Sequence, residues 1–433
     1  VTVRPVRRYP YASLGSHFLG YVGAPQKIDK EEASRYNFYQ PDTEGKSQIE
    51  LSFNEDLTGT AGARILQRNA RGVIEGEVGL EPPQQGHNVL LTIDARIQYI
   101  AERALRVIGR GAVVVVDPNN GDILALASAP SYDPNSFIPA IPVAEWKALI
   151  GDQTDPLINR ALSAYAPGST YKIPTSLAGL RGGLEQSHFN CTGGVQYGNK
   201  FMQCWIAAKD GSHGSIDLES ALRVSCNAFF YQYGNAAGID EMVTVGQLLG
   251  LGQKSGIPLT GEASGILPGP AWMQVNYPRE RWSSGQTANA SIGQGFVLAT
   301  PLQMAMVAAT VANGGISYYP RIIDKVVAQD GTLIRQEPVK VRADLTENGL
   351  TKEQIQHVRQ GMWDVVNRSG GTARRARLKD YEVAGKTGTA QFWRGRVKDN
   401  HTWFVSFAPF DQPRYAVSVM VQGALSGGGV AAP

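Results

Sequence analysis

Short, continuous apolar runs mark both ends of the chain and predict strands that are buried on both faces. Residues 112–116 and 123–127 flank the turn sequence Pro-Asn-Asn-Gly, which predicts a β-hairpin. Similar apolar runs occur at 382–390, 402–407 and 415–421, near the other end of the chain. We therefore expect five strands from distant parts of the chain to share one sheet.

Between these runs, apolar residues recur at the spacing of helices. Asp94 precedes an amphipathic stretch and is placed to cap it, whereas Thr351 and Gln354 form a capping box at the start of a helix over 352–368. Further helices are predicted at about 217–234, 239–250 and 301–313, and one follows residue 169. Strands at both ends with helices between them predict an α+β domain, in which a central antiparallel sheet is flanked by helices.

The first 85 residues differ in composition from the rest of the chain. They are rich in Gly, Arg, Glu and Gln, include a predicted strand at 73–78, and lead into a linker at 82–86. No nucleophile–base pair or metal cluster is evident in them. The sequence thus predicts a β-rich, non-catalytic module over 1–85 and a catalytic domain over 86–433.

Composition excludes several classes of protein. Of the 433 residues, 42% are hydrophobic and 9% aromatic, which is enough for a packed core and too much for a disordered chain. The formal net charge of +3 is spread along the chain without a basic block, so nucleic acid is not an expected partner. No apolar run reaches the 18 or so residues that a membrane-spanning helix needs.

The candidate chemistry starts at Ser169 and Lys172, which follow the turn Pro167-Gly168. Three residues apart in a helix, they would share one face. A serine hydroxyl needs a neighbouring base to become a nucleophile, and a desolvated lysine can be that base. Since Ser-x-x-Lys arises often by chance, the interpretation depends on further motifs.

Two further motifs follow in order: Ser225-Cys226-Asn227 beside a predicted helix, and Lys386-Thr387-Gly388 inside a predicted strand. Ser-x-x-Lys, Ser-x-Asn and Lys-Thr-Gly form the motif set of penicillin-binding proteins and class A β-lactamases. Ser225 and Asn227 can hold the Lys172 amine and a substrate amide, and Lys386 and Thr387 can bind a carboxylate. Gly388 leaves the strand edge open for substrate, and the Thr389 N–H can join that of Ser169 in an oxyanion hole.

Longer stretches of sequence around these motifs make the resemblance more specific. Residues 165–172, 291–295, 385–390 and 401–409 resemble class B penicillin-binding proteins, in particular the elongation branch of Gram-negative bacteria. The resemblance covers nearly the whole chain. It implies a serine transpeptidase domain of the penicillin-binding and β-lactamase-like fold, preceded by a pedestal module resembling a dimerisation domain.

The resemblance also implies roles. Ser169 would attack the D-Ala-D-Ala bond of a peptidoglycan stem peptide, Lys172 would be the base, and Ser225 would relay protons. An amine of a neighbouring strand would then take the acyl group from Ser169, and β-lactams would acylate Ser169 and inhibit the enzyme. A β-lactam sensor or scaffold and a D,D-carboxypeptidase are the alternatives.

All three cysteines of the chain lie close together in sequence. Cys191, Cys204, His213 and Cys226 could form a structural zinc site; a Cys191–Cys204 disulfide or simple buried thiols are the alternatives. Some proteins of the resembled family carry zinc in this region, which favours the metal. No cofactor is expected to be required for catalysis.

Location and partners follow from the resemblance alone. It implies a periplasmic protein held in the inner membrane by an N-terminal segment that precedes the given sequence. It also implies a membrane glycosyltransferase of the elongation machinery and its scaffold proteins as partners.

Overall fold

The computed structural model describes residues 6–25, 43–60, 62–394, 397–424 and 426–432. Residues 26–42 of the predicted N-terminal module therefore lie outside the described ranges. The structure has the predicted α+β character, with one large antiparallel sheet and helices packed on both of its faces. None of the helices within the described ranges is a candidate membrane span.

The central sheet has five strands in the order β16-β17-β18-β6-β7. Their bounds are Gly111–Val116 (β6), Ile123–Ala129 (β7), Ala384–Arg394 (β16), Val397–Ala408 (β17) and Tyr415–Gln422 (β18). The late strand β18 pairs with the early strand β6, with Val419 opposite Val113. The prediction that distant segments close one antiparallel sheet is thus confirmed.

The alternation of side chains along β6 explains why this strand reads as a continuous apolar run. Ala112, Val114 and Val116 enter the main core, whereas Val113 and Val115 enter a separate cluster on the opposite face. A helix covers each face, so neither set can be polar.

Two helices provide that cover. On one face lies α12, Pro301–Ala312, in which all twelve residues are buried. On the other lies α4, Ala95–Ile108, which is capped by Asp94 as predicted and buries Ala101 and Leu105 against the sheet. Burying a Leu or Val side chain contributes about 1.5–3 kcal/mol, so these two layers anchor the domain.

The remaining helices surround the sheet. Their bounds are Ser16–Leu19 (α1), Gln48–Ser52 (α2), Asn54–Thr58 (α3), Val143–Gly151 (α5), Lys172–Arg181 (α6), Leu218–Arg223 (α7), Asn227–Ala237 (α8), Ile239–Leu248 (α9), Pro270–Asn276 (α10), Ser284–Ser291 (α11) and Lys352–Asn367 (α13). Helix α13 begins with the predicted capping box of Thr351 and Gln354.

The single helix predicted over 217–234 is wrong: the structure has two helices, α7 and α8. Ser225 separates them with a φ of +54°, in the left-handed region that ends a helix. The backbone direction changes here, and α8 restarts at Asn227.

The smaller sheets lie outside the central one. Their strands are Val22–Gly23 (β1), Glu44–Gly45 (β2), Ala63–Arg68 (β3), Ile74–Glu81 (β4), Asn88–Leu91 (β5), Phe189–Cys191 (β8), Gly194–Tyr197 (β9), Lys200–Gln203 (β10), Gly214–Ile216 (β11), Ile316–Tyr318 (β12), Ile323–Val327 (β13), Leu333–Gln336 (β14) and Val341–Asp344 (β15). Strands β8 and β11 pair with Cys191 opposite Gly214, which brings Cys191 next to His213.

The N-terminal residues are tied to the rest of the chain by hydrogen bonds. The backbone N–H of Gly15 donates to Glu102 on α4 over 2.7 Å, and the ring of His17 bonds to the carbonyl of Pro156 over 2.8 Å. The described residues before β5 comprise strands β1–β4 and helices α1–α3. The division of the chain at residues 85 and 86 stays a prediction.

Candidate active site

Ser169 lies on a 3₁₀ turn, Gly168–Tyr171, which runs directly into α6. Side chains three residues apart on such a turn eclipse each other, so Ser169 and Lys172 project to the same side. Ser169 is half-buried, whereas Lys172 is fully buried at the start of α6. The predicted shared face of these two residues is therefore present, although a 3₁₀ turn rather than an α-helix provides it.

The turn is held against the edge strand of the sheet. The N–H of Gly168 donates to the carbonyl of Gly293 over 3.0 Å, and the indole N–H of Trp403 on β17 donates to the carbonyl of Ala166, also over 3.0 Å. A Cβ at Gly168, whose φ is +55°, would lie 2.7 Å from the carbonyl oxygen of Thr389. Only glycine fits this approach, so the backbone of the turn packs directly against the backbone of β16.

Gly388 lies on the β16 side of the same close contact between the turn and the strand. A Cβ there would lie 2.6 Å from the carbonyl oxygen of Pro167 and 3.2 Å from the backbone N of Thr170. The sequence predicted a glycine that clears the strand edge for substrate. The structure adds that this glycine makes room for the turn that carries Ser169.

Two buried lysines meet at one serine. Lys172 Nζ donates to the Ser225 carbonyl over 2.9 Å and lies 3.2 Å from Ser225 Oγ. Lys386 Nζ, which comes from β16, donates to the same Oγ over 2.8 Å. Lys172 also donates to Asn227 Oδ1 over 2.7 Å. The fold thus brings together residues from all three predicted motifs.

Burial perturbs both amines. It lowers the pKa of Lys172 to about 8, because the charged form loses its hydration. Burial also lowers the pKa of Lys386 well below its ordinary value, and the neighbouring charge of Lys172 lowers it further. Neutral lysine is therefore accessible near physiological pH, as a general base requires.

The helix break at Ser225 creates this arrangement. Because Ser225 adopts a left-handed conformation, its side chain and its carbonyl can both face Lys172. Cys226 then caps α8, with Sγ accepting from the N–H of Phe229 over 3.3 Å. A continuous helix would have used the Ser225 carbonyl within its own ladder.

Thr387 and Thr389, two residues apart on β16, are the predicted substrate-binding threonines. Thr389 is exposed, and the Thr387 hydroxyl hydrogen-bonds that of Thr372 over 2.8 Å. The side-chain amide of Gln294 reaches the Thr389 carbonyl over 3.4 Å. Sequence reasoning did not predict Thr372 at this site, and it included Gln294 only within the stretch 291–295, because only the fold places the two residues beside this strand.

The cysteine region forms a compact cluster. The sulfurs of Cys191, Cys204 and Cys226 and a ring nitrogen of His213 all lie within 4.8 Å of one another, and the three cysteines are buried free thiols. His213 Nδ1 is 3.5 Å from Cys191 Sγ and 3.7 Å from Cys204 Sγ, and the Cys204 and Cys226 sulfurs are 3.9 Å apart. The hydrogen bond from the Cys226 thiol lowers the pKa of Cys204.

Comparison with known families covers most of the chain. Residues 111–433 match the penicillin-binding protein transpeptidase domain, and residues 1–91 match the penicillin-binding protein dimerisation domain. Peptidoglycan D,D-transpeptidase MrdA of Acinetobacter baumannii is 32% identical over 452 residues, which cover 100% of this chain. The chain spans 65% of the length of that relative.

Solved structures give the same result. PBP2 of Pseudomonas aeruginosa in complex with WCK 5153 is 34% identical, with a TM-score of 0.83, and the match covers 100% of this chain and 90% of that one. PBP2 of Helicobacter pylori in complex with MreC is 30% identical, also with a TM-score of 0.83, and the match covers 96% of this chain and 75% of that one.

Proposed function

Because this chain belongs to the penicillin-binding protein transpeptidase family, we propose that it is a peptidoglycan D,D-transpeptidase of cell elongation. One observation carries the proposal: Lys172 and Lys386, both fully buried, converge on Ser225 beside the turn that presents Ser169. The proposed activity is the transfer of a stem peptide from its terminal D-Ala to an amine of a neighbouring strand.

Acylation starts at Ser169. Its Oγ forms a bond to the carbonyl carbon of the penultimate D-Ala, while its proton passes to the neutral amine of Lys172. The C–N bond to the terminal D-Ala then breaks, and the leaving amine takes a proton by way of Ser225. The result is an ester at Ser169, which the acceptor amine later attacks to form the cross-link and regenerate the serine hydroxyl.

The remaining motif residues bind the substrate in this proposal. Thr387 and Lys386 recognise the terminal carboxylate, and Asn227 binds a substrate amide. The backbone N–H groups of Ser169 and Thr389 stabilise the developing oxyanion. The tight contact that Gly388 allows between the turn and β16 supports this pairing, because it brings the two backbone segments together.

The first test is acylation by penicillin, followed by intact mass over hours. Wild-type protein should form a stable one-to-one adduct, Ser169→Ala should form none, and Ser264→Ala, at an exposed serine, should behave like the wild type. An adduct that persists in Ser169→Ala would contradict the assignment of the nucleophile.

The alternatives predict other products. A peptide that ends in D-Ala-D-Ala, offered with an amine acceptor, should yield the cross-linked peptide. Hydrolysis alone in the presence of acceptor would favour a D,D-carboxypeptidase. Acylation by penicillin without any turnover of the peptide would favour a sensor or scaffold.

We also propose a structural zinc ion held by Cys191, Cys204, His213 and Cys226. Tetrahedral zinc, with bonds of about 2.3 Å to sulfur and about 2.0 Å to nitrogen, places its ligands roughly 3.5–3.8 Å apart. Three of the separations, His213 to Cys191, His213 to Cys204 and Cys204 to Cys226, are 3.5, 3.7 and 3.9 Å and fit that geometry. All four ligand atoms lie within 4.8 Å of one another, so a small inward movement would complete the site. The ion would fix the segment that leads to Ser225 and Asn227, and no catalytic step is assigned to it.

Metal analysis tests this site. Purified protein should hold about one zinc per chain, and Cys191→Ser should lose zinc and melt at a lower temperature. Wild-type protein without zinc that yields fewer than three free thiols after unfolding would favour the disulfide instead.

Location and partners complete the proposal. We place this chain in the periplasm, anchored in the inner membrane by a preceding segment, with residues 1–85 as a pedestal. The match to PBP2 in complex with MreC supports scaffold partners of this kind. β-Lactams, stem peptides and a membrane glycosyltransferase are the other proposed partners, and nucleic acid is not among them.

A further inference from the structure

We propose that Trp205 is a positioning residue that holds the Ser225 carbonyl in place to orient the Lys172 amine. The inference rests on the proposed function, since it concerns the acylation of Ser169. It assigns a role in the reaction to a side chain outside the three motifs.

Trp205 makes an unusual pair of contacts. Its indole N–H lies 3.1 Å from the carbonyl oxygen of Val224 and 3.1 Å from that of Ser225. These are consecutive carbonyls at the helix break between α7 and α8. One donor is therefore shared between the two peptide groups that define the turn.

The Ser225 carbonyl is also the acceptor for Lys172 Nζ over 2.9 Å. The indole and the amine thus share one oxygen, and Trp205 lies one contact away from the proposed general base. Without the indole N–H, this oxygen would keep its hydrogen bond from Lys172, but the carbonyl could rotate with less restraint.

Restraint matters here because Ser225 is strained. Its φ of +54° is disfavoured for a residue with a Cβ, and such a conformation persists only where surrounding contacts hold it. The indole bonds to both flanking peptide groups. These two hydrogen bonds oppose relaxation of the turn, because relaxation would move the Ser225 carbonyl and hydroxyl together.

The position of Trp205 suits this role. It directly follows Cys204 and begins the 3₁₀ helix Trp205–Lys209, and its ring lies 5.5 Å from the ring of His213. The side chain is 40% exposed, so burial of the ring is only partial. A tryptophan used solely for packing would gain more in a closed site, whereas this one directs its polar atom at the catalytic turn.

Acylation kinetics test the proposal. Trp205→Phe keeps an aromatic ring and removes the N–H, so the acylation rate constant at saturating penicillin should fall about tenfold. The dissociation constant of the initial non-covalent complex should stay unchanged, because Trp205 is assigned no substrate contact. Trp272→Phe, in a separate cluster with Tyr277 and Phe296, is the matched control and should leave both constants unchanged.

Zinc content and melting temperature separate positioning from a structural role. If Trp205→Phe loses zinc or stability, site-specific 3-benzothienylalanine at position 205, which keeps the shape of tryptophan and lacks the donor, decides the question. A rate constant within about twofold of wild type in the shape-preserving variant would overturn the proposal, as would a loss confined to the dissociation constant. Failure of the proposed function is distinct, since wild-type protein would then not be acylated at all.

Discussion

The pKa of Lys172 gives the proposed mechanism a quantitative pH dependence. Burial lowers this pKa to about 8, and the amine must be neutral to accept the Ser169 proton. The neutral fraction is then about one tenth at pH 7 and about nine tenths at pH 9. The acylation rate constant should therefore rise about tenfold across this interval and level off above it.

The isosteric change Asn227→Asp makes this prediction sharper. It replaces an amide oxygen 2.7 Å from Lys172 Nζ with a carboxylate oxygen. An opposite charge at such a distance shifts a pKa by about 1–3 units towards the charged form, so the midpoint should move above pH 9. At pH 7.5 the rate constant should fall by about eightfold or more.

The assay is stopped-flow acylation between pH 6 and 10, with a penicillin whose only ionisable group is its carboxylate. The rate constant at saturation is the relevant quantity, because Asn227 is also assigned to substrate binding. Lys325→Met, at a lysine on β13, serves as the control and should leave the midpoint unchanged. A flat wild-type profile, or a midpoint in Asn227→Asp that stays or moves down, would refute Lys172 as the base.

Two further predictions concern packing and burial. Gly388→Ala would place a Cβ 2.6 Å from the Pro167 carbonyl, so it should cost about 1–3 kcal/mol of stability and slow acylation, whereas Gly76→Ala, in open space, should do neither. Burial lowers the pKa of His17 to about 4, whereas in the unfolded chain it has its ordinary value of about 6.5. As the pH falls below about 6.5, the unfolded chain therefore binds this proton first, which stabilises the unfolded state. Urea unfolding should show about 2 kcal/mol of stability from this group lost between pH 7 and 5; His17→Gln should remove that share, and a variant that keeps the full loss would contradict the assignment.

The sequence predicted the parts of the fold that depend on local signals. The strand at 112–116 is apolar at every position because both of its faces are covered, and the Asp94 cap and the Thr351 capping box are local. It did not predict the break at Ser225. A serine in the left-handed region has no sequence signature, and the contacts that hold it come from residues distant in the chain.

The same distinction applies to the site. Motif spacing selected Ser169, Lys172 and Lys386, whereas Thr372 and Trp205 bear on the site only through the fold. For the cysteines, the sequence left zinc, a disulfide and buried thiols open. The structure brings the four candidate ligands together, since β8 and β11 place Cys191 beside His213, but the presence of zinc stays a proposal.

Both lysine amines contact Ser225 Oγ, and this has a consequence for proton transfer. A hydroxyl has two acceptor sites and one proton to donate. When Lys172 and Lys386 both donate to Ser225 Oγ, over 3.2 and 2.8 Å, they occupy both acceptor sites. The Ser225 proton must then point to a third group, and in the proposed mechanism that group is the leaving amine. As this proton departs, Lys172 can replace it with the one taken from Ser169. In the proposed mechanism the two amines therefore act differently on one oxygen: Lys172 supplies the proton, and Lys386, whose pKa burial holds well below its usual range, orients the hydroxyl that carries it.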